Sequence, residues 1–213
     1  MIPADNISER VMSAITPTML HQFWFGTIDN EQVEEKYTKM WFSGGEALDT
    51  EVRTRFAAPL EQAARGELDA WQASARDNVA LIVLLDQFPL NMYRRTARAF
   101  AYESHAIAAC KHGLEQGQLA ELFTVERNFF LMPLMHSESD DDQALSIRCY
   151  TESLELAPPA LRESAQLTLD FALKHKQTID EFGRYPYRNA VLGRESSAAE
   201  LAYLADNPSR YGQ

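Results

Sequence analysis

Two histidines and two carboxylates lie in apolar parts of this sequence, where an ionisable side chain is costly to bury. Asp86 directly follows seven consecutive apolar residues, Val79 to Leu85. His136 and Glu138 follow the aromatic and methionine-rich run FFLMPLM, and His175 lies on the apolar face of a long predicted helix. An imidazole oriented by a carboxylate is a common arrangement for acid–base chemistry. The candidate catalytic residues are therefore His136, His175, Asp86 and Glu138.

A second group of candidates combines guanidinium, phenol and amide side chains in a chain that is otherwise acidic. The segment GRYPYRN begins at Gly183, and Gly193-Arg194 follows it closely. Guanidinium groups bind carboxylates and phosphates through paired hydrogen bonds and stack on aromatic rings. The similar letters QFPLN directly follow Asp86, and we expect the two segments to meet in space. The candidate ligand-binding residues are Gln87, Asn91, Arg94, Arg184, Tyr185, Arg188, Asn189 and Arg194.

The same residues have purely structural explanations. Asp86 can be one half of a buried ion pair that joins two helical hairpins, and a cation or strong donor is expected beside it. The candidate partners are Arg94, Arg95, Arg184 and Arg188. His175 can be a core histidine whose ring nitrogens are satisfied by hydrogen bonds. The arginines can likewise pair internally, with Asp86, Glu138 or Glu195. Residue types and spacing leave the structural and the functional explanations open.

Metal and cofactor chemistry receive little support from the sequence. The two histidines and two carboxylates named above can complete a metal site, but their spacing matches no recognised ligand motif. Serine-nucleophile motifs, P-loops and dinucleotide fingerprints are absent. We therefore predict neither a metal ion nor a cofactor.

The elements that must position these side chains are helices. Apolar residues recur at helical spacing, no segment alternates strictly between apolar and polar residues, and Gly and Pro are scattered. The predicted helices begin near residues 17, 31, 49, 74 or 77, 96, 119, 139, 160 and 197. About nine helices with short connections predict an all-α fold of stacked antiparallel helical hairpins, as a bundle or a repeat-like array.

Two prolines are expected to limit the helices that carry the candidate residues. Proline lacks an amide N–H and crowds the preceding turn, so it interrupts a helix. We predict that Pro89 ends the helix carrying Asp86, and that Pro133 kinks or ends the helix before His136. Asp86 would then lie near a helix C-terminus, where the helix dipole disfavours an anion.

Composition narrows the classes of partner. The 213 residues carry a formal net charge of −11, which repels nucleic acid and anionic lipid. No signal peptide or membrane-length apolar run is present, and the two cysteines form no recognised motif. We expect a cytoplasmic, soluble protein that binds neither nucleic acid nor membrane. We expect one all-helical domain over residues 1–213, with disordered ends at about 1–12 and 207–213.

Five motifs taken together resemble a known bacterial family. They are FWFG, LLDQFPLN, ARAF, FFLMPLMHSE and FGRYPYRNAVLGR, and they span nearly the whole chain in order. The sequence is similar to the uncharacterised family catalogued as domain of unknown function 924 (DUF924), which implies a tetratricopeptide-like α-α superhelix and no assigned activity. Leu90 stands where the family usually has arginine, and Ala101-Tyr102-Glu103 replaces a FATD-like sequence. If that arginine contacts a ligand in the family, Leu90 removes the contact here.

Three functions follow from these observations. The leading hypothesis is an internal polar pocket that binds a small anionic or polar metabolite. The enzyme hypothesis adds acid–base chemistry by His136 or His175, and it requires both histidines beside one water-accessible cavity. The third hypothesis is a protein-interaction scaffold, in which a concave helical face binds a protein partner and the polar cluster is structural.

Overall fold

The computed structural model describes residues 15–207, and this part of the chain contains nine α-helices and no strand. The expected disordered ends lie outside the described residues, apart from Asn207. The helices are α1 Pro17–Phe25, α2 Glu35–Ser43, α3 Gly45–Ala64, α4 Ala75–Met92, α5 Glu103–Glu115, α6 Thr124–His136, α7 Asp140–Leu156, α8 Arg162–Phe182 and α9 Ala198–Asp206. The predicted all-α fold with nine helices is confirmed.

Three helix ends agree with local capping signals in the sequence. The Thr16 hydroxyl accepts a hydrogen bond from the Met19 amide at 3.2 Å, and Ser197 and Glu200 form a reciprocal capping box. Gly26 closes α1 at a φ of +64°, a left-handed conformation that favours glycine. These ends are correctly predicted because capping depends on residues only a few positions apart.

Short 3₁₀ turns account for two helix starts that were predicted too early. Residues Ala97–Phe100 form a 3₁₀ turn, so α5 begins at Glu103 and not near residue 96. Residues Gln118–Glu121 form another, so α6 begins at Thr124 and not near residue 119. The first of these differences brings Glu103 to a helix start beside the site described below.

Helix α4 lies at the centre of the fold. Fourteen of its eighteen residues are buried, because it packs against α1, α3, α5 and α6. Phe88 of α4 packs on an aromatic cluster, with ring centroids 4.7 Å from Phe56 and 5.4 Å from Trp24. Consecutive helices from α3 to α8 also pack against each other, as stacked hairpins do. The additional contacts of α4 with α1 and α6 are those of a bundle.

The predicted helix end at Pro89 is wrong, and Pro133 does not end its helix either. Pro89 lies inside α4, which continues to Met92, and Pro133 lies inside α6, which continues to His136. Each proline removes one backbone donor, whereas the apolar packing on all sides of α4 and along α6 stabilises every turn. Asp86 therefore lies within α4, six residues before its end.

No helix of residues 15–207 is long and apolar enough to span a membrane.

Candidate functional site

Asp86 pairs with a histidine and not with any of the arginines predicted for it. Its Oδ1 lies 2.9 Å from Nδ1 of His136, and its Oδ2 accepts a hydrogen bond from Nε2 of Gln87 at 2.6 Å. The arginine prediction was wrong, because the last turn of α6 places the His136 side chain against Asp86 of α4. Asp86 is 6% exposed. Among the described residues, Nε2 of His136 has no hydrogen-bond partner.

His175 is buried in the core near this pair. Its ring centroid is 6.4 Å from that of His136 and 5.6 Å from that of Tyr185. Its Nδ1 lies 2.8 Å from the Phe171 carbonyl oxygen of the preceding helical turn. Burial disfavours the imidazolium and lowers the pKa of His175 to about 4, so the ring is neutral at pH 7. This is the environment of a core histidine.

Glu138 holds the segment that follows α8 onto the turn between α6 and α7. Its carboxylate accepts hydrogen bonds from the Tyr185 amide at 2.8 Å and from Arg194 at 2.6 and 3.0 Å. Burial alone would raise the pKa of Glu138, but these donors outweigh it and the pKa is lowered. Tyr185 is buried, and its hydroxyl donates to the Met135 carbonyl at 2.5 Å. Glu138 is therefore held as a carboxylate and serves as an anchor.

Arg188 bridges α5 and α6 from a buried position. It donates to the Glu103 carboxylate at 3.1 and 3.3 Å and to the His136 carbonyl oxygen at 2.8 Å. The rings of Phe100 and Tyr185 flank its guanidinium, each with its centroid at 4.6 Å. Arg188 is 3% exposed. The guanidinium therefore fixes the main chain of His136 and the side chain of Glu103 relative to each other.

Arg184 and Asn189 belong to a different cluster, around Glu200 of α9. Arg184 donates to both carboxylate oxygens of Glu200 at 2.6 and 2.8 Å, and the Asn189 amide donates to the same carboxylate at 3.2 Å. Hydrogen bonds from Arg184 and from the Ser197 amide hold the pKa of Glu200 well below its usual range. These two predicted ligand-binding residues therefore attach α9 to the fold.

Asn91 and Arg94 extend from the end of α4 towards α3. The Asn91 side chain donates to the Gln87 carbonyl oxygen at 3.0 Å, and Arg94 donates to Asn91 at 2.7 Å. Arg94 also donates to the Asp49 carboxylate of α3 at 2.5 and 3.0 Å. Of the predicted ligand-binding residues, only Gln87, Tyr185, Arg188 and Arg194 lie in the network around His136 and Glu138.

Two cavities lie near the C-terminal end of α6, and His136 lines one of them. The inner one has a volume of about 10 Å³ and is lined by Asp86, His136 and Glu103 together with the apolar residues Leu85, Leu90, Ala99 and Phe100. The outer one is an open cleft of about 470 Å³ between the start of α5 and the turn of residues 137–139. Phe100 and Glu103 line both cavities, whereas His175 lines neither. The two histidines thus do not share a cavity.

Glu103 is the site residue that the sequence reasoning missed. The available signal was its position three residues after Phe100, where the family's FATD-like sequence also has an acid. Gln143 was missed as well, and its buried amide donates to the Met135 and Ser137 carbonyl oxygens at 2.8 and 2.7 Å. Glutamine at the buried face of a helix gave no signal of this role. Within residues 15–207, no group of three or more His, Cys, Asp or Glu side chains is arranged to hold a metal ion.

Comparisons with known proteins place these residues in one family. The family described as "Bacterial protein of unknown function (DUF924)" matches residues 20–208, a range that includes every candidate site residue. No curated protein matches this chain. Among solved structures, the chain is similar to a protein of unknown function, ATU0120, from Agrobacterium tumefaciens, with 29% identity and a TM-score of 0.75 over 90% of this chain and 97% of that chain. The chain therefore belongs to the bacterial DUF924 family, as its five sequence motifs predicted.

Proposed function

We propose that this protein binds a small polar metabolite in the outer cleft and that His136 exchanges a proton with it. The observation that supports this proposal is the pairing of His136 Nδ1 with Asp86 at 2.9 Å beside the inner cavity. A carboxylate on Nδ1 holds the imidazole in one orientation and leaves Nε2 as the nitrogen that can accept a proton. The proposal thus joins a metabolite site to a proton-transfer role for His136 alone, without the cavity shared with His175 that the enzyme hypothesis required.

The dimensions of the cavities support a small ligand. The outer cleft of about 470 Å³ falls within the range of small-molecule sites, about 300–1,000 Å³. The inner cavity of about 10 Å³ admits one small atom group, on the scale of a single water molecule. A ligand in the cleft would thus reach the His136 end of the inner cavity with one functional group only.

The charges around the cleft favour an uncharged polar ligand over an anion. Arg188 is paired with Glu103, and Arg194 is paired with Glu138. An anion that recruited either arginine would leave a partly buried carboxylate without its partner, which costs several kcal/mol. Hydroxyl and amide groups can instead bond to the carboxylates and serines of the cleft without breaking these pairs.

Protection of His136 from chemical modification tests the proposal. Diethyl pyrocarbonate acylates neutral imidazole, and modification is followed by mass spectrometry of peptides. We expect His136 to react and the buried His175 to remain unmodified. Compounds that stabilise the protein in a thermal-shift screen of polyols, sugars, amides, carboxylates and phosphates are then tested for protection of His136.

The matched controls are His136→Asn and His112→Asn, because His112 is exposed on α5 away from the cleft lining. A cleft ligand should protect His136 and lose its stabilising effect in His136→Asn only. The proposal is wrong if no stabilising compound protects His136, or if the stabilising compounds act equally on both variants.

A further inference from the structure

Glu103 occupies the junction between the two cavities and carries no role in the proposed function above. We infer that Glu103 is the second proton-transfer group of the cleft and that Arg188 is the positioning residue that holds it and His136 in one arrangement. The inference rests on the proposed function, because it assigns a partner to His136 in the same site.

The location of Glu103 supports this assignment. Glu103 is the first residue of α5, and its side chain lines the inner cavity together with His136 and the outer cleft together with Glu138. The other residue that lines both cavities, Phe100, has no ionisable group. Glu103 is therefore the ionisable residue that the two cavities have in common.

Arg188 connects the Glu103 carboxyl group to the main chain of His136. One nitrogen of its guanidinium, Nη1, contacts both oxygens of Glu103, and the other, Nη2, donates to the His136 carbonyl oxygen at 2.8 Å. Rotation of the guanidinium is restricted by the flanking rings of Phe100 and Tyr185. The bridge is buried, so solvent competes little for these hydrogen bonds.

The protonated form of Glu103 is more favourable in these surroundings than the protonated form of an ordinary, exposed glutamate. Burial raises the pKa of Glu103, and the Asp86 carboxylate of α4 adds to this rise. Arg188, after α8, and His136 of α6 both lower the pKa, but burial outweighs them. Glu138 in the same cleft has the opposite shift. The cleft therefore holds two glutamates whose pKa values are shifted in opposite directions, as acid–base sites commonly do.

The proton balance closes without a further reactant. Nε2 of neutral His136 takes one proton from an O–H, N–H or C–H group of the ligand, and the protonated Glu103 carboxyl donates one proton to another atom of the ligand. The products are an imidazolium beside the Asp86 carboxylate and a Glu103 carboxylate beside Arg188. Each new charge has a partner of opposite sign, and solvent returns the proton to Glu103 from His136 after the ligand leaves.

The pH titration of Glu103, observed by ¹³C NMR of side-chain carboxyl groups and assigned with Glu103→Gln, tests this inference on the protein without ligand. We expect Glu103 to titrate at a higher pH than Glu138. In Arg188→Met the titration of Glu103 should move to still higher pH, since Arg188 lowers its pKa. The matched control, Arg184→Met, removes an arginine that pairs with Glu200 and should leave Glu103 unchanged.

Exchange of a carbon-bound ligand hydrogen with D₂O supplies the second readout. For a ligand that protects His136, Glu103→Gln should slow this exchange by at least about 10²-fold and retain binding, because general acids contribute about 10²–10⁴-fold. A Glu103 that titrates at or below Glu138, or an exchange rate unchanged in Glu103→Gln, would overturn the inference. If no ligand protects His136, the proposed function fails even where Glu103 titrates as expected, so the two failures are distinguishable.

Discussion

Two histidine–carboxylate pairs lie at opposite ends of α6. They resemble each other in burial and in the histidine partner, and they differ in the other hydrogen-bond donors of the carboxylate. At the N-terminal end, Glu126 lies 2.7 Å from Nε2 of His21. At the C-terminal end, His136 lies 2.9 Å from Asp86 of α4. Both carboxylates are buried, with side chains 0% and 4% exposed. Burial and a histidine partner alone therefore do not identify a functional pair.

The number and kind of other donors separate the two pairs. Glu126 also accepts hydrogen bonds from Arg76 at 2.8 Å and from the Phe123 amide at 2.9 Å. Burial would raise the pKa of Glu126, but His21, the Phe123 amide and Arg76 together lower it. Asp86 has His136 and the neutral Gln87 amide, and its pair faces a cavity. A carboxylate saturated by donors holds the fold together, whereas one with a single histidine can assist a proton transfer.

The largest expected effect tests the structural pair. Glu126→Gln should lower the free energy of unfolding by about 3–5 kcal/mol, because His21, Arg76 and the Phe123 amide lose a charged acceptor, and each hydrogen bond to a charged group contributes about 1.5–3 kcal/mol. Urea denaturation followed by circular dichroism measures this loss. Asp86→Asn is the comparison variant and should cost much less. Equal losses in the two variants would remove the distinction between the pairs.

The next effect concerns the buried His175. The pH dependence of stability that it causes reports how well water is excluded from the His136 end of the molecule. Its folded pKa of about 4 lies below the usual 6.5, so the unfolded chain binds the proton more readily. This contribution to stability is full above pH 6.5 and is lost as the pH falls to about 4. The shift corresponds to about 3 kcal/mol.

Urea denaturation between pH 7 and pH 4 checks this prediction by comparing the protein with His175→Gln. The variant should lack this part of the pH dependence, while His105→Gln, at an exposed position of α5, should retain it. A pH dependence that is the same in all three proteins would mean that His175 is hydrated, and that the end of α6 is more open than its burial indicates.

A smaller effect is expected when Asp86 loses its charge but retains its shape. Asp86→Asn should cost about 1 kcal/mol of unfolding free energy, the contribution of a typical hydrogen bond. It should nevertheless alter the rate of His136 modification by diethyl pyrocarbonate, because Asp86 orients the ring. Glu126→Gln should leave the His136 rate unchanged in the fraction that is folded. If the His136 rate is unchanged in Asp86→Asn, Asp86 does not orient the ring.

The smallest effect on stability is expected at His136 itself. Its side chain is 19% exposed, and His136→Asn should change the free energy of unfolding by less than the roughly 1 kcal/mol of a typical hydrogen bond, because the asparagine amide can still donate to Asp86. Loss of ligand binding in this stable variant would separate function from folding. A cost above about 2 kcal/mol would instead give His136 the structural role that His21 has at the other end of α6.

Much of the fold was predictable, because helix formation and capping are local. Thr16, Gly26 and Ser197 mark helix ends through contacts with residues a few positions away. Pro89 and Pro133 misled the prediction, since both lie in helices whose tertiary packing outweighs one missing hydrogen bond. Where local signals and packing disagree, packing decides the length of the helix.

The candidate site was predictable in its residue types but only partly in its pairings. His136 pairs with Asp86, whereas Glu138 binds Tyr185 and Arg194. Arg184 and Asn189 bind Glu200 instead. The motif QFPLN and the motif RYPYRN do not meet through Asp86, because the first is internal to α4 and the second follows α8. The sequence similarity of the two motifs therefore did not indicate a contact between them.

By itself, the sequence determined the nine helices, most of their ends and the family, since these depend on periodicity, capping and motifs along the chain. Only the tertiary structure decided which ionisable groups face each other. Asp86 and His136 are 50 residues apart, and Arg188 and Glu103 are 85 apart. Such pairs depend on how α4, α5, α6 and the segment after α8 pack, and packing is a property of the whole core.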